Sequence, residues 1–294
     1  MNDIELFELG KKFENERNYT ESVKYYHEAA KLGNVDAQLS LGFCYDLGRG
    51  VEVNKKEAVK WYILSASKNN KYALANLANI LYDVKDYEEA VKWYRKSADL
   101  GLDYAQYRMG LSYEYGRGVP KDDAEAAKWF RLAAEQGDVS AQVCLGNCYR
   151  EGCGVTKNYE EAVKWFRKAA EKGDAVAQNN LANRYKRGEG VIRDTSEAFR
   201  LYKLSADSGY ELAQKNLLIL CEAEGKWWDE AVKWYKKFAE NGNAEYQYKL
   251  GLCYFDGKGV LKDRKTAKYW FKKAADGGHQ DARAKLSGLW ALFC

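Results

Sequence analysis

The sequence predicts an all-α fold, a right-handed solenoid of about eight helix–loop–helix repeats finished by a C-terminal capping helix. Two series of alanines and a shortage of proline lead there. One alanine opens the first helix of each unit, at Ala37, Ala73, Ala105, Ala141, Ala177 and Ala213. Tyr246 stands in once and Ala282 closes the series, with spacings of 36, 32, 36, 36, 36, 33 and 36 residues. A second series marks the end of the second helix, at Ala30, Ala66, Ala98, Ala134, Ala170, Ala206, Ala239 and Ala275. One period in two registers is the mark of stacked like units. The only proline among 294 residues is Pro120, and a proline inside a helix costs about 3 kcal/mol.

The period divides the chain into units of about 1–33, 34–69, 70–101, 102–137, 138–173, 174–209, 210–242 and 243–278, with a cap over 279–294. No linker interrupts them, so a single continuous domain is expected. Unit 138–173 shows how one is built. Ala141, Leu145, Cys148 and Tyr149 share one face of a first helix, and Gly146 lets a neighbouring helix come close. Gly152 and Gly154 end that helix, because glycine accepts the left-handed conformation. A second helix starts near Tyr159, keeps Ala162, Trp165, Phe166, Ala169 and Ala170 in helical spacing, and stops at Gly173. A Gly-x-Gly-Val loop joins the two helices in five units, at 48–51, 116–119, 152–155, 188–191 and 257–260. The units over 4–33, 70–101 and 210–242 have a short turn instead. In the cap, over about 280–292, Leu286, Leu289 and Trp290 would cover the last pair, since an end repeat is otherwise bare.

Composition narrows the function classes. Forty-seven basic and 43 acidic residues nearly balance, at net +4, unlike a general polyanion binder; no nucleic-acid partner is expected. The N-terminal stretch has no apolar run long enough for a signal peptide, and nothing approaches the ~20 apolar residues of a membrane span. A cytoplasmic protein without a membrane partner is the expectation. The seven cysteines read as reduced thiols. Cys144, Cys148 and Cys153 could offer three zinc ligands, but a structural site wants four, and neither His27 nor His279 is close in sequence. No metal or other cofactor is expected. The Trp series at 61, 93, 129, 165, 234 and 270 follows the repeat register and reads as core. Glu57, Glu89, Glu125, Glu161 and Glu197 read as first-turn residues favoured by the helix dipole.

The pattern Ala-Gln, Leu-Gly, Tyr, Gly-x-Gly-Val, Glu-Ala, Trp-Tyr/Phe, Ala-Ala and Gly resembles the Sel-one-like repeat, a relative of the tetratricopeptide repeat, over nearly the whole chain. The three short-turn units look more like plain tetratricopeptide units. The resemblance implies that the first helices line a concave groove, reached by the positions two and six after the opening Ala. The sixth positions are Phe43, Asn79, Leu111, Asn147, Asn183, Ile219 and Leu252. Asparagine is a poor helix former, yet Asn79, Asn147 and Asn183 recur there, with Asn76, Asn179, Asn180 and Asn216 close by. An Asn amide can pair with both the N–H and the C=O of an extended peptide. Arg150, Arg184, Lys186 and Arg187 would draw acidic side chains or a terminal carboxylate. Aromatic and aliphatic residues flank the asparagines, with Leu39, Phe43, Tyr104, Tyr107 and Tyr115 on one side and Tyr248, Leu252 and Phe255 on the other.

The chain is therefore expected to be a non-enzymatic scaffold or adaptor. It would hold an extended, acidic segment of another protein, itself a monomer or weak homodimer. Two alternatives carry observations of their own. Some family members bind or hydrolyse β-lactams weakly, and Ser65 and Lys68 match Ser-x-x-Lys, although Ser-Asp-Asn and Lys-Thr-Gly are missing. An apolar end around Leu289, Trp290 and Phe293 would suit a self-assembling structural protein.

Overall fold

The computed structural model describes residues 1–290, with side chains through residue 287. Among these residues there are seventeen helices and no strand. Eight consecutive pairs are α1 (Asp3–Asn15) with α2 (Tyr19–Lys31), α3 (Val35–Leu47) with α4 (Lys55–Ala66), α5 (Lys71–Asp83) with α6 (Tyr87–Asp99), α7 (Asp103–Tyr115) with α8 (Asp123–Gln136), α9 (Val139–Glu151) with α10 (Tyr159–Glu171), α11 (Ala175–Arg187) with α12 (Thr195–Asp207), α13 (Glu211–Glu224) with α14 (Trp228–Glu240), and α15 (Ala244–Asp256) with α16 (Arg264–Asp276). A last helix, α17 (Gln280–Trp290), follows. The chain forms two compact units, residues 1–168 and residues 169–294. Within each, packing runs from one helix to the next in the chain, as a solenoid requires.

Most helix starts have a side-chain cap, although α7, α13 and α14 begin without one. The side chains of Asn34, Asn70, Asp138, Asp174 and Asn243 cap first helices, and those of Asn54, Asp122, Asp194 and Asp263 cap second ones. The five long loops are near copies. In each, the residue after the first glycine donates its N–H back into the first helix, as Arg49 does to Cys44 O and Cys153 to Cys148 O. The capping residue of the second helix then donates its own N–H to the repeat tyrosine, as Asp122 does to Tyr113 O and Asn158 to Tyr149 O. The second glycine of the loop has a separate task. Gly118 sits at φ +76°, and a Cβ there would overlap the Tyr87 carbonyl at the start of α6. The loop thus lies directly on the preceding pair.

The core of each pair is one ring of the second helix, fully buried: Tyr26, Tyr62, Tyr94, Phe130, Phe166, Tyr202, Tyr235 or Phe271. Gly146 makes the predicted close approach, since a Cβ there would stand 2.6 Å from Phe166. Trp129, Trp165, Trp234 and Trp270 are buried, while Trp61 and Trp93 are half-buried against the core. Several carry a cation over the ring, as Arg95 does on Trp129 and Lys168 on Trp165. Glu57, Glu89, Glu125, Glu161 and Glu197 stand in first turns, each paired with a cation three residues on.

The role of the Gln in Ala-Gln was not legible. Gln38, Gln106, Gln142, Gln178, Gln214 and Gln247 are buried, and each donates its amide N–H to the carbonyl eight residues earlier, at the end of the preceding second helix. Arg283 does the same to Ala275 O. Ala170 is half-buried where the neighbouring Ala169 is enclosed. Leu286 of α17 packs on Ala274 and Ala275, as expected of a cap. The expectations on Leu289, Trp290 and Phe293 lie outside the residues whose side chains are described.

Candidate functional site

First helices of residues 1–168 line a cleft of about 490 Å³. Its walls come from α1, α3, α5 and α7, through Glu14, Leu39, Ser40, Phe43, Tyr72, Ala75, Asn76 and Tyr104. Phe43 is 37% exposed and Tyr72 52%. Leu39 and Phe43 hold the second and sixth positions read from the sequence. The structure adds the third position, where Ser40 and Asn76 stand, and Tyr72 just before the opening Ala. Glu14 and Asp103 bring carboxylates to the same cleft.

The asparagine ladder divides by what faces it. Asn79 accepts hydrogen bonds from the hydroxyls of Tyr94 and Tyr104, at 2.6 and 2.9 Å. Asn183 accepts one from Tyr202 at 2.8 Å and donates to Asn179 O at 3.1 Å. Both carbonyl oxygens thus satisfy a buried tyrosine from the second helix of the same pair. Glu14 and Glu222 do the same for Tyr26 and Tyr235. In the pair of Asn147 the buried ring is Phe166, which has no hydroxyl, and Asn147 instead accepts from Arg150 Nε at 3.3 Å. In residues 169–294 an amide cluster forms. Asn179 is 1% exposed and accepts from Asn216 at 2.8 Å, with Asn180 Oδ1 3.5 Å from its Nδ2.

The basic residues also divide. Arg184 is 4% exposed and ion-paired with Glu189. Arg150 pairs with Glu151 at 2.6 Å. Lys186 is half-buried and Arg187 exposed. Tyr107 packs on Phe130, and burial pushes its hydroxyl up to about 12. Tyr115 is 59% exposed with Arg117 over its ring. Arg108 had no sequence expectation, yet it sits amid Tyr82, Tyr94 and Tyr104.

Ser65 is fully buried and donates to Val35 O at 2.9 Å. Ser97 and Ser205 make the equivalent bond to Lys71 O and Ala175 O. Ser65 is thus one of a series of buried hydroxyls bonded to a first-helix carbonyl. Burial pushes the thiols of Cys44, Cys144, Cys148, Cys221 and Cys253 up to about 12, and Cys153 is exposed. Among the described residues, no group of three or more His, Cys, Asp or Glu is placed to hold a metal ion, and no helix is long and apolar enough to cross a membrane.

The Sel1 repeat model matches residues 7–34, 35–70, 103–138, 139–174, 175–210, 229–243 and 244–279, well over half of the sequence. The chain belongs to the Sel1-repeat family. A tetratricopeptide model takes residues 72–101, one of the three short-turn units, while the first short-turn unit matches the Sel1 model. Two solved Sel1-type structures resemble the chain along 98% of its length. One is a protective antigen of uropathogenic Escherichia coli strains displaying an SLR fold, 34% identical with TM-score 0.84 over 64% of that chain. The other is a Sel1 repeat protein from Oxalobacter formigenes, 30% identical with TM-score 0.64 over 86% of that chain. A sel1-like repeat-containing protein of Acanthamoeba polyphaga mimivirus is 33% identical over 86 residues, which are 29% of this chain and 16% of the relative. DAP3-binding cell death enhancer 1 of Rattus norvegicus is 39% identical over 74 residues, 24% of this chain and 14% of the relative. The chain spans a sixth or less of these curated relatives.

Proposed function

We propose that the chain is a non-catalytic protein-interaction scaffold that seats an extended segment of another protein against its first helices. The cleft of residues 1–168 carries this reading. It joins exposed rings, Phe43 and Tyr72, to small polar side chains, Ser40 and Asn76, within one wall of first helices. Rings supply contact area at low entropic cost, and the amide of Asn76 can meet a peptide N–H or C=O. Sel1 and tetratricopeptide repeats are commonly interaction scaffolds, and one relative is named for binding another protein. Asn147 and Asn180 remain candidates for holding a backbone. Asn79, Asn183 and Asn179 would do so only through what their internal bonds leave over. Any preference for acidic segments in residues 169–294 falls to Lys186 and Arg187, since Arg184 is enclosed.

The test is a proteome-derived peptide display screen on the wild type and on a variant carrying both Phe43→Ala and Tyr72→Ala. Peptides enriched by the wild type and lost by the still-folded variant support the cleft. Enrichment untouched by the double change, or none from either protein, overturns it.

A further inference from the structure

Six arginines of this chain are paired with a carboxylate. Arg49, Arg95, Arg150, Arg184, Arg193 and Arg200 pair with Glu14, Asp99, Glu151, Glu189, Glu224 and Glu197. Arg131 meets a single tyrosine, Tyr149, whereas Arg108 and Arg117 are each placed among several. Arg108, half-buried on α7, lies 4.3 Å from the ring centre of Tyr82, 4.9 Å from Tyr94 and 5.7 Å from Tyr104. It donates to the Tyr104 hydroxyl at 2.8 Å and reaches Asn79 Oδ1 at 3.5 Å. Arg117, exposed in the loop after α7, donates to the Tyr82 hydroxyl and stands over the Tyr115 ring at 5.3 Å. Tyr82 therefore joins the two, with one guanidinium on its face and the other on its hydroxyl.

Ring faces attract a guanidinium but do not take up its five N–H donors. A tyrosine hydroxyl satisfies one donor and leaves the charge uncompensated. Of the neighbouring acids, Asp86 caps α6 through the Glu89 N–H, Asp103 accepts the N–H of Tyr104, Glu114 is half-buried and bonds Tyr115, and Asp83 is exposed at the end of α5. Two cations anchored on Tyr82, with donors left over and with Tyr104, which takes the Arg108 donor, also lining the cleft, match an oxyanion, which arginines can clasp through forked hydrogen bonds.

We propose that Arg108 and Arg117 bind the oxyanion of an acidic or phosphorylated side chain carried by the segment in the cleft. The proposal rests on the peptide-binding reading above and gives it a charge preference in residues 1–168.

The probes are immobilised nonapeptide arrays, randomised except for a central phosphoserine, glutamate or glutamine, and incubated with the full chain. The wild type should be retained about tenfold more on one or both anionic arrays than on the glutamine array. Equal retention on phosphoserine and glutamate assigns a carboxylate-sized charge, and a phosphoserine excess assigns a phosphoryl group. Arg117→Gln, at an exposed position, and Arg108→Lys, which keeps the charge but loses the fork, should bring the ratio towards one while retention on glutamine stays. An unchanged ratio in both variants overturns the proposal, as does a wild type that does not distinguish the arrays. If no array retains the wild type, the peptide-binding reading has failed and the anion site is judged separately. Inorganic phosphate should then slow phenylglyoxal modification of Arg108 and Arg117, read by peptide mass spectrometry, relative to exposed Arg17. Equal rates with and without phosphate would sink it.

Discussion

The tyrosine that fills a helix pair brings a hydroxyl into the core, and in four of the five such pairs the first helix answers it, Tyr62 being the exception. Asn79, Asn183, Glu14 and Glu222 do so opposite Tyr94, Tyr202, Tyr26 and Tyr235, because a buried hydroxyl without a partner costs about 1–3 kcal/mol. Where the ring is Phe130 or Phe271, the matching sixth position is Leu111 or Leu252. Only half of this was readable from the sequence. The asparagines stood out as poor helix formers, but the tyrosines that use them lie fifteen and nineteen residues away, and the pairing appears only once the helices face each other. Gly146 was legible because a large ring recurs at one register and needs a small partner. Gly146→Ala should lower stability by roughly 1–3 kcal/mol in chemical denaturation, as overpacking does; an unmoved midpoint would contradict the Phe166 contact. The thiols make a second expectation. Burial raises Cys44, Cys148, Cys221 and Cys253 from 9.0 to about 12. Above pH 9 the unfolded chain loses these protons while the folded chain keeps them. Their contribution to stability is therefore complete below pH 9 and falls away as pH rises towards 12. Ellman's reagent at pH 8 should modify exposed Cys153 well before the buried four.

At the scale of elements, the long loop acts as a stop and a start in one motif. Its first glycine closes a helix, and its last residue caps the next. Asp122 accepts from the N–H groups of Ala124 and Glu125 at 2.9 and 3.0 Å. Asp122→Ala should cost about 1 kcal/mol, the usual worth of such a cap, seen as a shifted denaturation midpoint with unchanged slope. Two short-turn units solve the same problem with a non-glycine residue in the left-handed region, at Arg17 and Lys85, while the third closes its helix with Gly225 and adds Trp227 in that region. Helix existence, loop type and unit length were all legible from glycine, alanine and tryptophan spacing. Arg108 was not, because its significance depends on tyrosines from three helices converging on it.

At the scale of the whole molecule, the fold class followed from period alone, since a repeat that buries its face only against its neighbours must be stacked. The groove was harder to read, for a solvated inner face and a binding face use the same residue types. What joins successive repeats is partly a single side chain. Gln214 donates to Ala206 O across the boundary between α12 and α13. Gln214→Leu removes that donor from a buried carbonyl, at a cost of about 1–3 kcal/mol, and weakens coupling between adjacent pairs. A broader thermal transition together with a lower midpoint is the expected result, and a sharp, unshifted one would show the bond to be incidental. The glutamine has a further consequence for descent. A repeat does not complete its own second helix, because the following repeat supplies the closing donor. Copying a full period that carries this glutamine brings along one donor and one waiting carbonyl, so such arrays can lengthen or shorten by those periods without leaving an unfinished end inside. An insertion or loss of part of a period breaks that match.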